Sequence, residues 1–428
     1  MNSKTSYATK LERIESQTLL PQLPQATGAF LRHLASTHRF TFQELRRASQ
    51  AARDLQMWHE EPFEDWWTRA ERSLSLQGRE RKKELFRRLD RHMQQMASAE
   101  KSYPEEGLHP PARRRVRLRE VRTDKQVFGL CPAYSEQTVC CGLHTIDAVR
   151  GCPYSCSYCT IQTFYGETAE LESDLMEKLR SIELEPGRRY HIGTGQSSDS
   201  LVWGNRGGLL DALIDFAREN PNVLLELKTK SANIEPLLSR ELPVNIVCTW
   251  SLGTPTTIRN EEPGTASLAQ RLEAASRASA GGIDVGFHFH PMIFYAGWKE
   301  DYERVARELL DRFDSVDVSF ISMGSVTLIR PVERAIRERG GETKILQMEM
   351  VQDAHGKLTY RDEIKIDLFS HLYSVLAPWH QEVFFYLCME NRFIWEQVFG
   401  TAYSSNRMFE EDFLDRCLRN EGTGSPAQ

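Results

Sequence analysis

Apolar positions recur at helical spacing through the first hundred or so residues. "FTFQELRRASQAARDLQMWHEE" (40–61) and "RERKKELFRRLDRHMQQMASAE" (79–100) combine strong helix formers with this spacing and carry no internal Gly or Pro. The pattern predicts a helical region over residues 1–100. The period then breaks. "KSYPEEGLHPPARRRVRLREVR" (101–122) holds three Pro, one Gly and a dense run of Arg, and reads as an extended linker. With a Cys-containing lead-in it occupies 101–139. From 140 to 326 short apolar runs alternate with helical ones. The expected strands are "HTIDAVR" (144–150), "RYHIGTG" (189–195), "VLLELKT" (223–229), "VNIVCTW" (244–250), "IDVGFHF" (283–289) and "VDVSFIS" (316–322). Helical stretches between them include "GLLDALIDFAREN" (208–220), "SLAQRLEAASRASA" (267–280) and "KEDYERVARELLDRF" (299–313). Such alternation implies βαβ units around a parallel sheet covered on both faces. Six units fit a partial (β/α)6 TIM-like barrel and also fit a doubly wound sheet. In both, chemistry belongs at the C-terminal ends of the strands. Residues 327–428 read as a mixed C-terminal extension, with an aromatic-rich helical stretch "HQEVFFYLCMENRFIWEQVF" (380–399).

Composition adds limits. No apolar run reaches the roughly 18 residues that a membrane span needs. The polar start "MNSKTSYATKLERIESQ" lacks the apolar core of a signal peptide, so cytoplasmic residence is the expectation. A net charge of −6 excludes a globally basic nucleic-acid binder and leaves room for a local patch. Arg113, Arg114, Arg115, Arg117, Arg119 and Arg122 form one such run, either to neutralise phosphates or as a solvated linker. Nine Cys in a long chain of this kind suggest metal or redox chemistry rather than a disulfide scaffold.

The chemistry concentrates in "GCPYSCSYCTIQTFYG" (151–166), directly after the first expected strand. Cys152, Cys156 and Cys159 stand at C-x3-C-x2-C spacing. Thiolates are soft ligands that suit zinc and iron–sulfur clusters. Structural zinc is closed by four ligands, usually as separated pairs. A 4Fe–4S cluster takes one protein ligand per iron, so three thiolates leave one iron open. The alternatives are a zinc site completed by a distant Cys or His, or buried inert thiols.

The triad, Tyr158 just before its third Cys, and the barrel pattern together resemble the radical S-adenosylmethionine (SAM) superfamily. "TGQSSDS" (194–200), "LKTKSANIEPLL" (227–238), "WSLGTPTTIRNEEPGTASLAQRLEAA" (250–275), "VGFHFHPMIFYAGW" (285–298) and "LTYRDE" (358–363) follow the order and spacing of spore photoproduct lyase and its relatives. The resemblance covers about residues 140–370. It implies an α/β partial barrel of the radical SAM type, a 4Fe–4S cluster and SAM as cofactors, and cleavage of SAM to a 5′-deoxyadenosyl radical that abstracts hydrogen. It further implies repair of thymine-dimer photoproducts in DNA, with DNA and an electron donor such as flavodoxin or ferredoxin as partners. By the same resemblance Cys152, Cys156 and Cys159 bind the cluster, and Tyr158 packs near SAM and belongs to a hydrogen-return relay. Lys230 faces the SAM carboxylate, and Ser251 lies near SAM. Gly193 and Gly195 would let backbone approach the ligand, and Asp199 would accept a hydrogen bond from its ribose or amine.

Two departures stand out. Gln196-Ser197-Ser198-Asp199 occupies the place where the lyase has a hydrogen-donating Cys in a Cys-Thr-Ser-Asp context. Thr160 stands where the lyase has Tyr after the third Cys. An amide N–H bond is too strong to replace a thiol S–H as donor. Cys141, beside Cys140 and near Cys131, is the candidate substitute; a second metal site and plain buried packing are the alternatives for these thiols. His288 and His290 alternate in "GFHFHP" and so share one strand face, toward ligand or simply hydrogen-bonded in place. Two further functions stay open: the same radical chemistry on another nucleic-acid or small-molecule substrate, and a non-catalytic iron–sulfur nucleic-acid-binding protein.

Overall fold

The computed structural model describes residues 7–110, 115–353 and 355–418. The chain forms two compact units, Met1–Ala112 with Leu328–Met350, and Arg113–Thr327 with Val351–Gln428. The 327–428 extension is therefore not one body: its first part joins the helical unit. Helix Arg330–Glu338 buries Val332 and Ile336, and Arg337 reaches back to Asp54 with Nε at 2.6 Å from Oδ1. A buried ion pair between residues so far apart in sequence leaves no local signal.

The helical unit holds α1 (Tyr7–Glu15), α2 (Gln25–His38), α3 (Phe42–Met57), α4 (Phe63–Arg72) and α5 (Gly78–Ser98). Thr41 starts α3 with a reciprocal box, its side chain accepting from Glu44 N while the Glu44 carboxylate accepts from Thr41 N. Phe40, Phe63, Trp67 and Phe86 fill the core in edge and tilted contacts.

The second unit is built on one eight-stranded sheet: β1 (Phe128–Leu130), β2 (His144–Ile146), β3 (Tyr190–Thr194), β4 (Val223–Thr229), β5 (Ile246–Ser251), β6 (Asp284–Met292), β7 (Val318–Ser325) and β8 (Phe384–Leu387). Its order runs β8 to β1 in strict succession. Strands β2 to β8 are parallel, and β1 pairs antiparallel with β2. The six expected strands thus form the parallel core, with one further strand on each side. The aromatic stretch 380–399 holds a strand, Phe384–Leu387, which pairs with β7, and then a helix, Arg392–Phe399. The expected strand 144–150 is split. Val149–Arg150 leaves the main sheet and joins a small one with Thr168–Glu172 and Arg117–Val121. Arg117–Val121 lies inside the expected linker. Arg117 and Arg119 point outward from it, and Arg115, just ahead, is also exposed. The prolines before this strand hid its period.

The sheet curls into a partial barrel. The His191 ring on β3 lies 6.4 Å from the Phe320 ring on β7, although three strands separate them. Helix Asn406–Cys417 fills the concave face, with Phe413 at 4.6 Å from His191 and 5.1 Å from Phe320. An isolated antiparallel bridge, Val139 N to Glu390 O at 3.0 Å, ties the segment ahead of β2 to the segment after β8. Among the described residues no helix is long and apolar enough to cross a membrane. Phe413→Ala is expected to cost about 3–5 kcal/mol, as removal of a fully buried aromatic ring does, read as a lower urea midpoint.

Candidate functional site

The three-cysteine loop begins at Gly151, which has φ +102°, and a Cβ there would meet the Ala169 Cα at 3.1 Å. Only glycine fits that turn without strain. The segment after β3 holds the loop's start. Gly151 N donates to Ser197 O at 2.8 Å, Ser198 Oγ donates to Gly151 O at 2.7 Å, and Ser197 Oγ donates to Asp147 Oδ1 at 2.6 Å. The loop's middle is held by the segment after β5: Ser155 N donates to Pro263 O at 3.0 Å and Ser157 N to Glu261 O at 2.8 Å. These two bonds straddle Glu262.

Burial pushes the Cys152 and Cys156 thiols up, Asp199 pushes Cys152 and Glu262 pushes Cys156 further, and Cys159 adds to both. Three cysteines this close become thiolates together only with a cationic partner. Among the described residues no three His, Cys, Asp or Glu side chains converge as a site for a single metal ion. A 4Fe–4S cluster does not need convergence, because each thiolate binds its own iron. Ser155 Oγ is buried without a hydrogen-bond partner between the first two thiols. This donor set fits a cluster better than one zinc ion.

Beside the loop, three donors meet the carboxylate of Glu262. The Tyr158 hydroxyl donates to Oε1, Lys230 Nζ donates to the same oxygen at 3.0 Å, and Arg271 Nη2 donates to Oε2. Lys230 Nζ also lies 5.8 Å from the centre of the Tyr158 ring. Burial raises the Glu262 carboxyl, but Arg271 and Lys230 outweigh it and hold the group down at about 2. Arg271 is fully buried. Its Nε donates to Ala266 O at 2.9 Å and its Nη1 to Ser251 O at 2.8 Å. Neither Glu262 nor Arg271 was singled out from sequence. The pair "EE" ahead of "PGT" was the available signal, since a buried carboxylate must find cations.

The expected ligand-facing residues divide. Tyr158 and Lys230 meet at Glu262. Ser251 is buried at the end of β5, and its carbonyl anchors Arg271. Asp199 has a different occupation from the expected one. Its Oδ1 accepts from Leu201 N, Val202 N and Thr229 Oγ1, and its Oδ2 accepts from Lys230 N at 2.7 Å. Its lone pairs go to the chain, and it positions Lys230. Gly195 has φ +85°, and a Cβ there would clash with Lys228 O at 2.7 Å, so its role is packing of the turn. A Cβ on Gly193 would press on Leu143 and approach Glu226. Gln196 and Thr160 are exposed.

Below the pair the concave face carries a dry polar network. His191 Nε2 lies 3.0 Å from Glu226 Oε2, Thr249 Oγ1 donates to Glu226 Oε1 at 2.6 Å, and His288 Nε2 also meets Oε1. His288 Nδ1 meets Ser322 Oγ, which lies 3.3 Å from His290 Nε2. The two histidines do share a face. Burial pushes His288 down to about 4, so it is neutral near pH 7. Lys228 reaches toward Glu226 with 3.8 Å between Nζ and Oε1. Burial disfavours the Lys228 ammonium, and Glu226, followed by Cys388, Cys131 and Cys141, raises it. Cys141 donates to Cys140, which pulls Cys140 down to about 7 and pushes Cys141 up. Cys388 follows β8 directly, and sequence reasoning passed over it. Arg122 pairs with Asp174 at 3.1 Å, whereas Arg113 and Arg114 lie outside the described residues.

Changing any one of Cys152, Cys156 or Cys159 to Ala is expected to abolish a stable cluster, measured as iron and sulfide content after anaerobic reconstitution. Glu262 gives a pH prediction. Its folded pKa of about 2 lies below the ordinary 4.5, so its stabilisation is complete above about 4.5 and is lost as pH falls toward 2. That contribution is about 3 kcal/mol, and E262Q should flatten this part of the profile of urea stability against pH.

Comparison with known proteins matches the spore photoproduct lyase family over residues 141–377. The spore photoproduct lyase of Clostridium acetobutylicum is 25% identical over 183 residues, which cover 41% of this chain and 54% of that protein. The match thus spans about half the length of that curated relative. A solved spore photoproduct lyase complexed with dinucleoside spore photoproduct superposes with a TM-score of 0.56 at 20% identity, covering 63% of this chain and 82% of the other. A mutant lyase with bound AdoMet and dinucleoside spore photoproduct gives 0.54 at 20% identity over the same shares. These superpositions establish a shared fold.

Proposed function

The chain belongs to the spore photoproduct lyase family, and from that premise we propose that it is a radical SAM enzyme acting on photoproduct-containing DNA. The observation that carries this reading is the clamp between the three-thiol loop and the Lys230–Glu262 pair, at the C-terminal ends of the parallel strands. The absent groups would supply reductive cleavage of a sulfonium to a carbon radical that abstracts hydrogen. The chain does the rest. Cys152, Cys156 and Cys159 would hold the cluster. Lys230, fixed through its backbone by Asp199, offers a point charge to the SAM carboxylate. Tyr158 is oriented by Glu262 beside the third cysteine. The buried network of His191, Glu226, Thr249 and His288 closes the concave face beneath the site.

Three observations support DNA as substrate: the family itself, the ligand named in the solved relatives, and the exposed Arg115, Arg117 and Arg119. Phosphate contacts through these arginines would give salt-dependent binding. For return of hydrogen to the product radical, Cys141 is the residue we assign, a buried thiol in the segment ahead of β2. The reducing electron would come from a small carrier of the flavodoxin or ferredoxin kind. Gln196, in the segment that clamps the loop, favours a second reading in which the same machinery acts on a different carbon substrate.

Anaerobic reconstitution followed by dithionite and SAM is expected to release 5′-deoxyadenosine, and an intact cluster without that product would overturn the radical SAM reading. Adding oligonucleotide that contains the thymine photoproduct should then yield repaired thymine. Active SAM cleavage with no thymine recovered would move the assignment to the second substrate reading. C141A should leave SAM cleavage intact and lower repair at least tenfold.

A further inference from the structure

Glu262 poses a question that cluster binding does not answer. A carboxylate this deeply buried needs its charge balanced at all times. Three donors balance it, but they differ in how firmly they are held. Arg271 is locked: besides Glu262 it donates to Ala266 O, Ser251 O and Thr265 Oγ1 at 2.9, 2.8 and 2.7 Å. Tyr158 is fixed by the loop, whose Ser155 and Ser157 amides are bonded to the residues on either side of Glu262. Lys230 is the movable member. It sits on a flexible stem, and apart from Glu262 its Nζ has a contact to His290 O at 3.4 Å.

The proposed function gives Lys230 a carboxylate to meet, and the inference drawn here rests on that reading. When Lys230 turns to an incoming carboxylate, Glu262 Oε1 loses its cationic donor and keeps the Tyr158 hydroxyl. An α-amino acid carries its amine one carbon from its carboxylate. That amine offers only N–H donors on the Glu262 side, whether it arrives as ammonium or bound to iron. A zwitterion inserted into an existing ion pair leaves the net charge of the pocket unchanged, which avoids the cost of an unpaired buried charge.

We propose that Glu262 is the acceptor for the α-amine of SAM, and that the Lys230–Glu262 pair opens to receive the amino-acid end of the cofactor. Glu262 thereby reads the amine and, through Tyr158, registers the cofactor against the cluster loop. It is a binding residue outside the expected set of Tyr158, Gly193, Gly195, Asp199, Lys230 and Ser251.

The test is equilibrium binding to the reconstituted, unreduced holoenzyme, so that no turnover enters. Two probes are used: SAM, and its analogue with hydrogen in place of the α-amine. A hydrogen bond to a charged group is worth about 1.5–3 kcal/mol, so E262Q should weaken SAM roughly 10- to 100-fold and leave the analogue within about twofold of wild type. Iron content and melting temperature monitor whether the cluster and fold persist. E262D, which keeps the charge but retracts it by one methylene, should lie between wild type and E262Q for SAM and match wild type for the analogue. Should E262Q not hold its cluster, the E262D comparison decides alone. Equal weakening of both ligands, or of neither, overturns the inference and makes Glu262 a purely structural counter-ion. Wild-type holoenzyme that binds no SAM is a separate failure, of the proposed function itself.

Discussion

The Glu262 carboxylate is the point on which the site depends. It is 5% exposed, and three parts of the chain converge on it. Tyr158 comes from the cysteine loop, Lys230 from the end of β4, and Arg271 from helix Leu268–Ala280. Each of these elements is positioned by other bonds, and the carboxylate joins all three. The two cations, Lys230 and Arg271, share this one anion beside the cysteine loop. Lys230 supplies the point charge that suits an incoming carboxylate.

A second constraint acts below the site. The strands present Glu226, Thr249, His288 and Ser322 to the concave face, where no water competes. The polar groups therefore satisfy one another across strands, Glu226 on β4 reaching His288 on β6 over the intervening β5. Phe413 closes the lower end with an aromatic cluster. The barrel thus has a polar middle and an apolar floor. Each is built by alternation along parallel strands, whose side chains face the same interior every second residue.

How much of this was legible in the sequence follows from how local each signal is. Runs such as "VLLELKT" gave β4 at its observed bounds, because a buried parallel strand is continuously apolar. The cysteine triad was legible for a similar reason: its meaning lies in eight residues of spacing. Features made by distant pairs were not. Arg337 with Asp54, Val139 with Glu390, and Arg271 with Glu262 each needed the fold. Asp199, an expected ligand partner, instead accepts from four donors of the chain, a set that only the fold brings together. Cys388 was hidden in an aromatic stretch whose helical look concealed β8.

The central claim is that three thiolates leave one iron of a cluster open to SAM beside Lys230 and Glu262. Electron paramagnetic resonance of the reduced, reconstituted protein, recorded with and without SAM, tests it most directly. The account predicts a cluster signal whose g-values and line shape change when SAM is added, and whose change is lost in K230M. A reduced 4Fe–4S signal that SAM leaves unaltered in the wild-type protein would contradict it.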